Sequence, residues 1–318
     1  MGSWQTGLAS GGPTGKRRAM SLRWILALAV GGVALGADAP PPPPPDDTDA
    51  LLQVGQQLFD DYAPPEVKDQ YSFPTREDLD RFAAQVQRAL DGDSLEHLAA
   101  LEPQARAALA AAQAIPGTDD YTGWLALRLD EIDAARQVLR PPAAGHPLPP
   151  SVSPIPHYGL WLQREQGRPA PAGAAELMPR LRAAFAAEGV PPDLAWVAEV
   201  ESSLNPEARS PAGARGLFQL MPDTAHNLGL SLFLPDERTD PEKSARAAAH
   251  YLRILHDRFG SWPLALAAYN AGEGRVSRLL AERKAADFAG IAAALPAETR
   301  MYVPKVCALV AVRTGTVL

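Results

Sequence analysis

One carboxylate in this chain stands where a helix should be apolar. Glu201 follows Leu194 and Val197 by seven and four residues, so the three side chains share one helical face. A carboxylate on a buried face loses its hydration, which raises its pKa and favours the protonated form. A carboxyl that keeps its proton near neutral pH can serve as a general acid. The alternative is a structural carboxylate bonded to a buried arginine or to backbone.

The neighbouring carboxylate, Glu199, does not complete a catalytic pair with Glu201. Two residues of α-helix rotate by about 200°, so the two side chains point in nearly opposite directions. We expect Glu199 to lie at the rim or to form a salt bridge. The helix is predicted to begin near Pro191–Asp193 and to end at Asn205–Pro206. Glu201 then lies near the carbonyl end of the helix, where the dipole raises the pKa of a carboxyl further.

Sequence motifs follow Glu201 in a recognisable order. They are Glu201-Ser202, Gly216-Leu-Phe-Gln-Leu-Met-Pro222, Ala268-Tyr-Asn-Ala-Gly272 and Glu298-Thr-Arg-Met-Tyr-Val-Pro-Lys305. Together they resemble the family-one lytic transglycosylases, which cleave the glycan strands of bacterial peptidoglycan. The last motif is most similar to the membrane-bound D branch of that family. The resemblance covers roughly Glu176 to the C-terminus.

The resemblance implies a reaction in which Glu201 acts first as acid and then as base. It protonates the glycosidic oxygen between N-acetylmuramic acid and N-acetylglucosamine, then takes the proton of the muramyl 6-hydroxyl as that oxygen attacks C1. The product is a 1,6-anhydromuramyl end. Ordinary glycosidases need a second carboxylate about 5 to 9.5 Å away, and no acidic residue within the matched motifs fills that place. No cofactor and no metal is implied.

The resemblance also implies a set of substrate-binding residues around the acid. They are Ser202, Gln219, Met221, Tyr269, Asn270, Glu298 and Tyr302. Each group has a structural alternative. Gln219 and Met221 could form a turn with a side chain packed in the core, and Tyr269 could pack at a helix end with only its hydroxyl exposed. Glu298 and Tyr302 share one helical face, and their alternative is a solvent-facing pair. The hydroxyl of Tyr269 is expected to orient Glu201 or to bind substrate.

The predicted fold is mainly α, with a lysozyme-like catalytic domain preceded by a small helical domain. Asp240 as N-cap and Gly260 as C-cap delimit one helix, and Thr299 to Val312 is another. Only the stretch 217–220 suggests short strands. Upstream, Leu125, Leu129 and Ile132 recur at helical spacing and indicate a core.

The N-terminal region resembles a secretory signal peptide. Arg23 precedes the apolar segment Trp24–Leu35, and either Ala34-Leu-Gly36 or Ala37-Asp-Ala39 suits a cleavage site. We therefore expect export to the periplasm, with Met1 or Met20 as the start and an uncleaved membrane anchor as the alternative. No cysteine stands at the cleavage site, so a lipoprotein anchor is not expected. Cys307, the lone cysteine, is predicted to be a buried free thiol.

Composition divides the chain into five predicted regions. They are an extension with the signal peptide (1–39), a Pro/Asp-rich disordered spacer (40–50), a helical domain of unknown role (51–140), a Pro-rich linker or wrapping arm (141–172) and the catalytic domain (173–318).

The overall composition and charge limit the classes of molecule that the protein is expected to bind. With 46% apolar residues, 21% charged residues and a formal net charge of −7, the chain suits compact helical units and not nucleic-acid binding. Peptidoglycan glycan strands are the expected partner, with cell-wall synthesis or remodelling proteins as further candidates, and the protein is expected to be a monomer.

The alternatives to a lytic transglycosylase come from two other classes. A hydrolytic muramidase of the lysozyme type would need acidic groups placed to activate water. A non-catalytic wall-binding or assembly factor would need neither acid nor base, although the intact motifs argue against it. The product separates a lytic transglycosylase from a muramidase, because the first leaves a 1,6-anhydromuramyl end and the second a reducing end.

Overall fold

The protein is mainly α-helical, as predicted. The computed structural model describes residues 76–113, 119–140 and 153–318, and within these ranges the β features are isolated bridges of Arg215 with Arg209 and Leu220. The strand pieces expected near 217–220 are therefore part of a turn. No helix in these ranges has the length and apolar character needed to cross a lipid bilayer.

The helices are α1 (Arg76–Asp91), α2 (Leu95–Ala100), α3 (Glu102–Gln113), α4 (Asp119–Leu139), α5 (Tyr158–Glu165), α6 (Ala174–Ala187), α7 (Val197–Ser202), α8 (Pro222–Asn227), α9 (Pro241–Phe259), α10 (Trp262–Ala271), α11 (Glu273–Arg283), α12 (Phe288–Ala292) and α13 (Ala297–Thr314), with 3₁₀ turns at Pro192–Trp196 and Glu237–Thr239.

Capping residues set the ends of α9. The side chain of Asp240 accepts hydrogen bonds from the backbone N–H groups of Glu242 and Lys243, at 3.0 and 2.9 Å. At the other end the chain turns at Gly260, whose φ of 66° is in the left-handed region. Both predicted caps are confirmed, because each satisfies backbone groups that a helix leaves unpaired.

The helix that carries Glu201 is shorter than predicted. Residues Pro192–Trp196 form a 3₁₀ turn, and α7 covers only Val197–Ser202. The chain then reverses through Ser203 and Leu204, which have φ values of 53° and 62°. Proline at 206 disfavours a helical conformation at the residue before it, which is consistent with this early end. Glu201 nevertheless lies in the last turn of its helix.

The upstream helices pack on the same body as the later ones. Leu125, Leu129 and Ile132 of α4 are buried as predicted. The helix contacts α2 and α3 on one side and α5, α7 and α13 on the other. The chain from Glu77 to Leu318 forms one compact unit. The predicted boundaries between 51–140, 141–172 and 173–318 stay predictions.

Helix α13 runs through the core. Its residues from Met301 to Val310 are all buried, including the free thiol of Cys307, and burial raises the pKa of that thiol to about 12. The helix contacts α5, α7 and α10 and so links the elements that surround Glu201. The predicted signal peptide (1–39), the spacer (40–50) and residues 141–152 of the Pro-rich arm lie outside the described residues.

Candidate active site

Glu201 is partly buried at the end of α7, and its main contact is a tyrosine. The hydroxyl of Tyr302 on α13 donates a hydrogen bond to Oε1 of Glu201 at 2.7 Å. Burial raises the pKa of Glu201 to about 7, although the bond from Tyr302 opposes that rise. Near neutral pH this carboxyl can therefore both give and take a proton, which suits it to acid and base work.

A small cavity beside Glu201 is closed by α4. Its volume is about 30 Å³. It is lined by Gly123, Trp124, Leu127, Glu201, Ser202, Asn205, Ala208, Arg209 and Gln219. Of the residues predicted to bind substrate, Ser202 and Gln219 share this lining with Glu201. A volume of this size holds about one water molecule, so this cavity is too small for a sugar ring.

Ser202 and Gln219 fix the loop that borders the cavity. The hydroxyl of Ser202 lies 3.0 Å from the carbonyl oxygens of Ala198 and Leu217. Gln219 has a φ of 46°, and its Nε2 donates to the carbonyl of Gly216 at 2.9 Å. Both side chains thus hold backbone in this structure, and a direct role in substrate binding stays a prediction.

Tyr269 and Asn270 lie behind the loop, at the end of α10. The hydroxyl of Tyr269 donates to the carbonyl of Phe218 at 2.7 Å and not to Glu201. Oδ1 of Asn270 accepts from the hydroxyl of Thr299 at 2.6 Å, which ties α10 to α13. The expected orientation of Glu201 by a tyrosine hydroxyl is therefore supplied by Tyr302 and not by Tyr269.

Met221 is placed apart from the other predicted residues. It precedes α8, is 42% exposed, and does not line the cavity that contains Glu201. An exposed thioether at this position can still pack against a sugar ring. Its assignment as a substrate-binding residue stays a prediction.

Glu298 and Tyr302 are not the solvent-facing pair that their spacing also allowed. Tyr302 is 2% exposed, and Oε1 of Glu298 accepts a bond of 2.6 Å from the guanidinium of Arg128. That arginine also donates to Oε2 of Glu131 at 3.0 Å. The two predicted residues therefore face inward, toward Glu201 and toward α4.

Arg128 and Glu131 are site residues that the sequence did not single out. Glu131 is fully buried, and burial raises its pKa. Burial also opposes the charge of Arg128, but the carboxylates of Glu131 and Glu298 outweigh it and raise the pKa of Arg128. The available signal was an arginine and a glutamate three residues apart on the same helix as the core residues Leu125 and Ile132.

Glu199 forms the predicted salt bridge, but it does not lie at the rim. It is 8% exposed, and Oε1 and Oε2 accept bonds from Nη2 and Nε of Arg313 at 2.5 and 2.9 Å. This paired geometry joins α7 to the end of α13. It also keeps Glu199 away from Glu201, as their spacing predicted.

We expect Glu199→Gln to destabilise the fold by about 3 kcal/mol, because it leaves the guanidinium of Arg313 buried without a counter-charge. Urea unfolding at pH 7 measures this change in free energy. Glu242→Gln is the matched control, because Glu242 pairs with Arg180 where both side chains are about half exposed, and it should cost under about 1 kcal/mol. Equal losses for the two variants would contradict a structural role for Glu199.

A second and larger cavity lies on the other side of α7. It measures about 530 Å³ and carries both signs of charge. Its charged lining residues are Asp130, Glu165, Arg168, Glu199 and Lys305. Lys305 Nζ lies 2.9 Å from Oδ2 of Asp130, and Arg168 contacts both Asp130 and Glu165. Glu199 in turn pairs with Arg313, which is outside the lining, so each of the three carboxylates has a cationic partner.

Removal of the Tyr302 hydroxyl tests the electrostatics of Glu201 without any assay of activity. In Tyr302→Phe the carboxylate loses a hydrogen bond that favours its charged form, so the pKa of Glu201 should rise above that of the wild type. A ¹³C NMR titration of the Glu201 carboxyl measures it. Tyr158→Phe is the control, because this buried tyrosine of α5 does not bond Glu201. A pKa unchanged or lowered in Tyr302→Phe would refute the arrangement.

Known proteins resemble the region that contains this site. Residues 181–291 match the transglycosylase SLT domain family. Membrane-bound lytic murein transglycosylase D of Escherichia coli (strain K12) is 40% identical over 126 residues, which is 38% of this chain and 27% of that protein. The soluble lytic murein transglycosylase of Salmonella typhimurium is 38% identical over 120 residues, 35% of this chain and 19% of that protein.

These matches confirm the resemblance that the motifs predicted, and they include the D branch. The chain spans less than a third of the length of either relative. Among solved structures, the 70 kDa soluble lytic transglycosylase of Escherichia coli aligns with 83% of this chain and 50% of its own, at 20% identity and a TM-score of 0.40.

Proposed function

We propose that this protein is a peptidoglycan lytic transglycosylase with Glu201 as its acid and base. The observation that carries the proposal is the bond from Tyr302 to the Glu201 carboxyl, whose pKa is raised to about 7 and which lies inside the stretch that matches the SLT domain. Such a group is protonated in a useful fraction of molecules at neutral pH and is ionised in the rest.

In the proposed reaction one proton leaves Glu201 and another returns. The Glu201 carboxyl protonates the oxygen between C1 of N-acetylmuramic acid and the next N-acetylglucosamine, and the C1–O bond breaks. The carboxylate then accepts the proton of the muramyl 6-hydroxyl while that oxygen forms a bond to C1. The nucleophile is already tethered to the reacting ring, so its effective molarity is high and no water is consumed.

Accessory roles follow from the same proposal. Tyr302 orients Glu201, and we assign Ser202, Gln219, Met221, Tyr269, Asn270 and Glu298 to the saccharide-binding surface around it. Peptidoglycan strands are the substrate. The 1–39 segment is proposed to direct export to the periplasm, and the protein is proposed to act there as a monomer.

A hydrolytic muramidase is the second candidate, and one observation favours it. Two further carboxyls, Glu131 and Glu298, lie close enough to raise the pKa of Glu201, and a hydrolase needs such a group to activate water. Both carboxyls, however, are bonded to the guanidinium of Arg128. One oxygen of each carboxyl is thus engaged by the guanidinium, and Glu131 is fully buried, so the intramolecular route is the better supported of the two.

Mass spectrometry of the muropeptides released from purified peptidoglycan tests the function. The proposed enzyme releases fragments ending in 1,6-anhydromuramic acid, each 18 Da lighter than its hydrolysed counterpart because no water is added. Reducing muramyl ends would establish the hydrolase instead. If the folded protein released no fragments, the result would favour a wall-binding role or an enzyme that needs an activator.

A further inference from the structure

Helix α4 brings an arginine to Glu201 although it lies upstream of residues 181–291, which match the SLT domain. Arg128 is 9% exposed, and its Nη1 donates to Oε1 of Glu298 at 2.6 Å. Glu298 lies one turn before Tyr302 on α13, and Tyr302 is the hydrogen-bond donor to Glu201. Two successive turns of α13 therefore bond Arg128 of α4 and the Glu201 carboxyl at the centre of the site.

The stability of the fold does not explain this cluster. Within the described ranges, Nε of Arg128 and Oε1 of Glu131 are buried without a hydrogen-bond partner. Burying charged groups is costly, and replacing a buried ion pair by apolar residues of similar size is often neutral or stabilising. A cluster that is only partly satisfied is better explained by its effect on the groups around it.

We propose that Arg128 is a positioning residue that holds Glu298 beside Glu201 and thereby makes α4 part of the catalytic unit. This inference rests on the proposed function, in which Glu201 gives and then takes a proton. Arg128 touches neither substrate nor the reacting atoms in this proposal. It acts through Glu298 and through its own charge.

The charged and titratable groups around Glu201 come from α4, α10, α13 and the chain segment after α7, where Arg209 lines the same small cavity. Arg128 and Glu131 face it from α4, Glu298 and Tyr302 from α13, and Tyr269 from α10. Burial is the largest influence and raises the pKa of Glu201, Arg128 lowers it, and Glu298 and Glu131 raise it. The arginine and the two glutamates therefore act on Glu201 in opposite directions.

Two single variants use this opposition. Arg128→Gln removes a positive charge, so the pKa of Glu201 should rise, and the alkaline limb of kcat/KM for the release of anhydromuropeptides should move to higher pH. Glu298→Gln removes a negative charge. The pKa of Glu201 should therefore fall, and the alkaline limb of kcat/KM should move to lower pH. In Arg128→Gln the rate at the optimum should also fall, on the order of 10²-fold, because Glu298 is no longer held in place.

Two further variants separate positioning from packing. Arg128→Lys keeps the positive charge and should restore most of the wild-type titration of Glu201, with part of the rate. Arg136→Gln is the matched control on the same helix, because that arginine is 46% exposed at its side chain and pairs with Glu102 away from the site. It should change neither the titration nor the rate.

The test does not depend on a folded Arg128→Gln variant or on activity. If that variant fails to fold, the double variant Arg128→Gln and Glu131→Gln leaves no unpaired charge at position 131. Because Arg128 lowers and Glu131 raises the pKa of Glu201, the double variant should raise that pKa by less than the loss of Arg128 alone would. The ¹³C titration of Glu201 is read in every variant, so it decides the inference even if the wild type releases no anhydromuropeptides and the proposed function fails. Shifts of the same sign in Arg128→Gln and Glu298→Gln, or no shift in either, would overturn it.

Discussion

Glu201→Gln is expected to reduce the release of anhydromuropeptides by about 10³-fold, the largest loss of activity that a conservative change in this site should cause. Glutamine keeps the shape of the side chain and can still accept the hydrogen bond of Tyr302, but it can neither give nor take a proton. Mass spectrometry of digests made with equal amounts of folded protein measures the loss.

The same substitution is expected to stabilise the protein at neutral and alkaline pH. The pKa of Glu201 is about 7 in the folded state against an ordinary value of 4.5, so the folded state keeps a proton that the unfolded state releases. The resulting loss of stability is absent below pH 4.5, grows between 4.5 and 7, and is constant above 7. Glu201→Gln removes it, so thermal unfolding at pH 8 should show a higher Tm than the wild type, and at pH 4 the two should agree.

Two results would count against Glu201 as the acid. One is a Glu201→Gln variant that is folded and releases fragments at more than a tenth of the wild-type rate. The other is a loss of activity accompanied by a lower Tm at every pH, which would point to a structural carboxylate. Glu199→Gln provides the contrast, because it should lower stability while folded molecules stay active.

Gly216→Ala is expected to have the largest effect on stability, a loss of about 3 kcal/mol or more. Gly216 has a φ of 82°, and a Cβ added there would lie 1.9 Å from the carbonyl oxygen of Arg238. That oxygen belongs to backbone and cannot rotate away. Since Gly216 begins the loop that carries Gln219, activity should fall with stability. Urea unfolding at pH 7 measures the change in free energy.

Gly213→Ala is the matched control in the same loop. Gly213 has a φ of 90°, but a Cβ there would meet no atom within 4 Å. Its cost is therefore the conformational strain alone, about 1 to 2 kcal/mol. If Gly213→Ala and Gly216→Ala lost the same stability, the contact with Arg238 would not be the cause.

Local spacing predicted the parts of the site that depend on one helix. Glu201 lies on the face of the buried residues Leu194 and Val197, and Glu298 and Tyr302 share a face because they are four residues apart. The caps of α9 were predictable for the same reason, since Asp240 and Gly260 act on backbone groups next to them in the chain. The 3₁₀ turn before α7 was not predicted, because its residues suit an α-helix equally well.

Contacts between distant segments were not predictable. Arg128 and Glu298 are separated by 170 residues, and nothing in the periodicity of α4 shows which charge it will meet. The same limit applies to Tyr302 and Tyr269: both are tyrosines at helix positions that face inward, and only the packing of α10 against α13 decides which hydroxyl reaches Glu201. The sequence therefore singled out Glu201 but could not show that its hydrogen-bond donor is Tyr302 and not Tyr269.

The separation between these partners has a consequence for synthesis. Glu201 and its hydrogen-bond donor Tyr302 are 101 residues apart, and Arg128 and Glu298 are 170 residues apart. Forming such contacts requires closing long loops, which is slow compared with the formation of single helices. While a ribosome is still making the chain, every element up to α12 can exist without Glu298 or Tyr302. A growing chain therefore carries Glu201 without its donor, and the hydrogen-bonded pair proposed to act on the cell wall cannot form before α13 has been made.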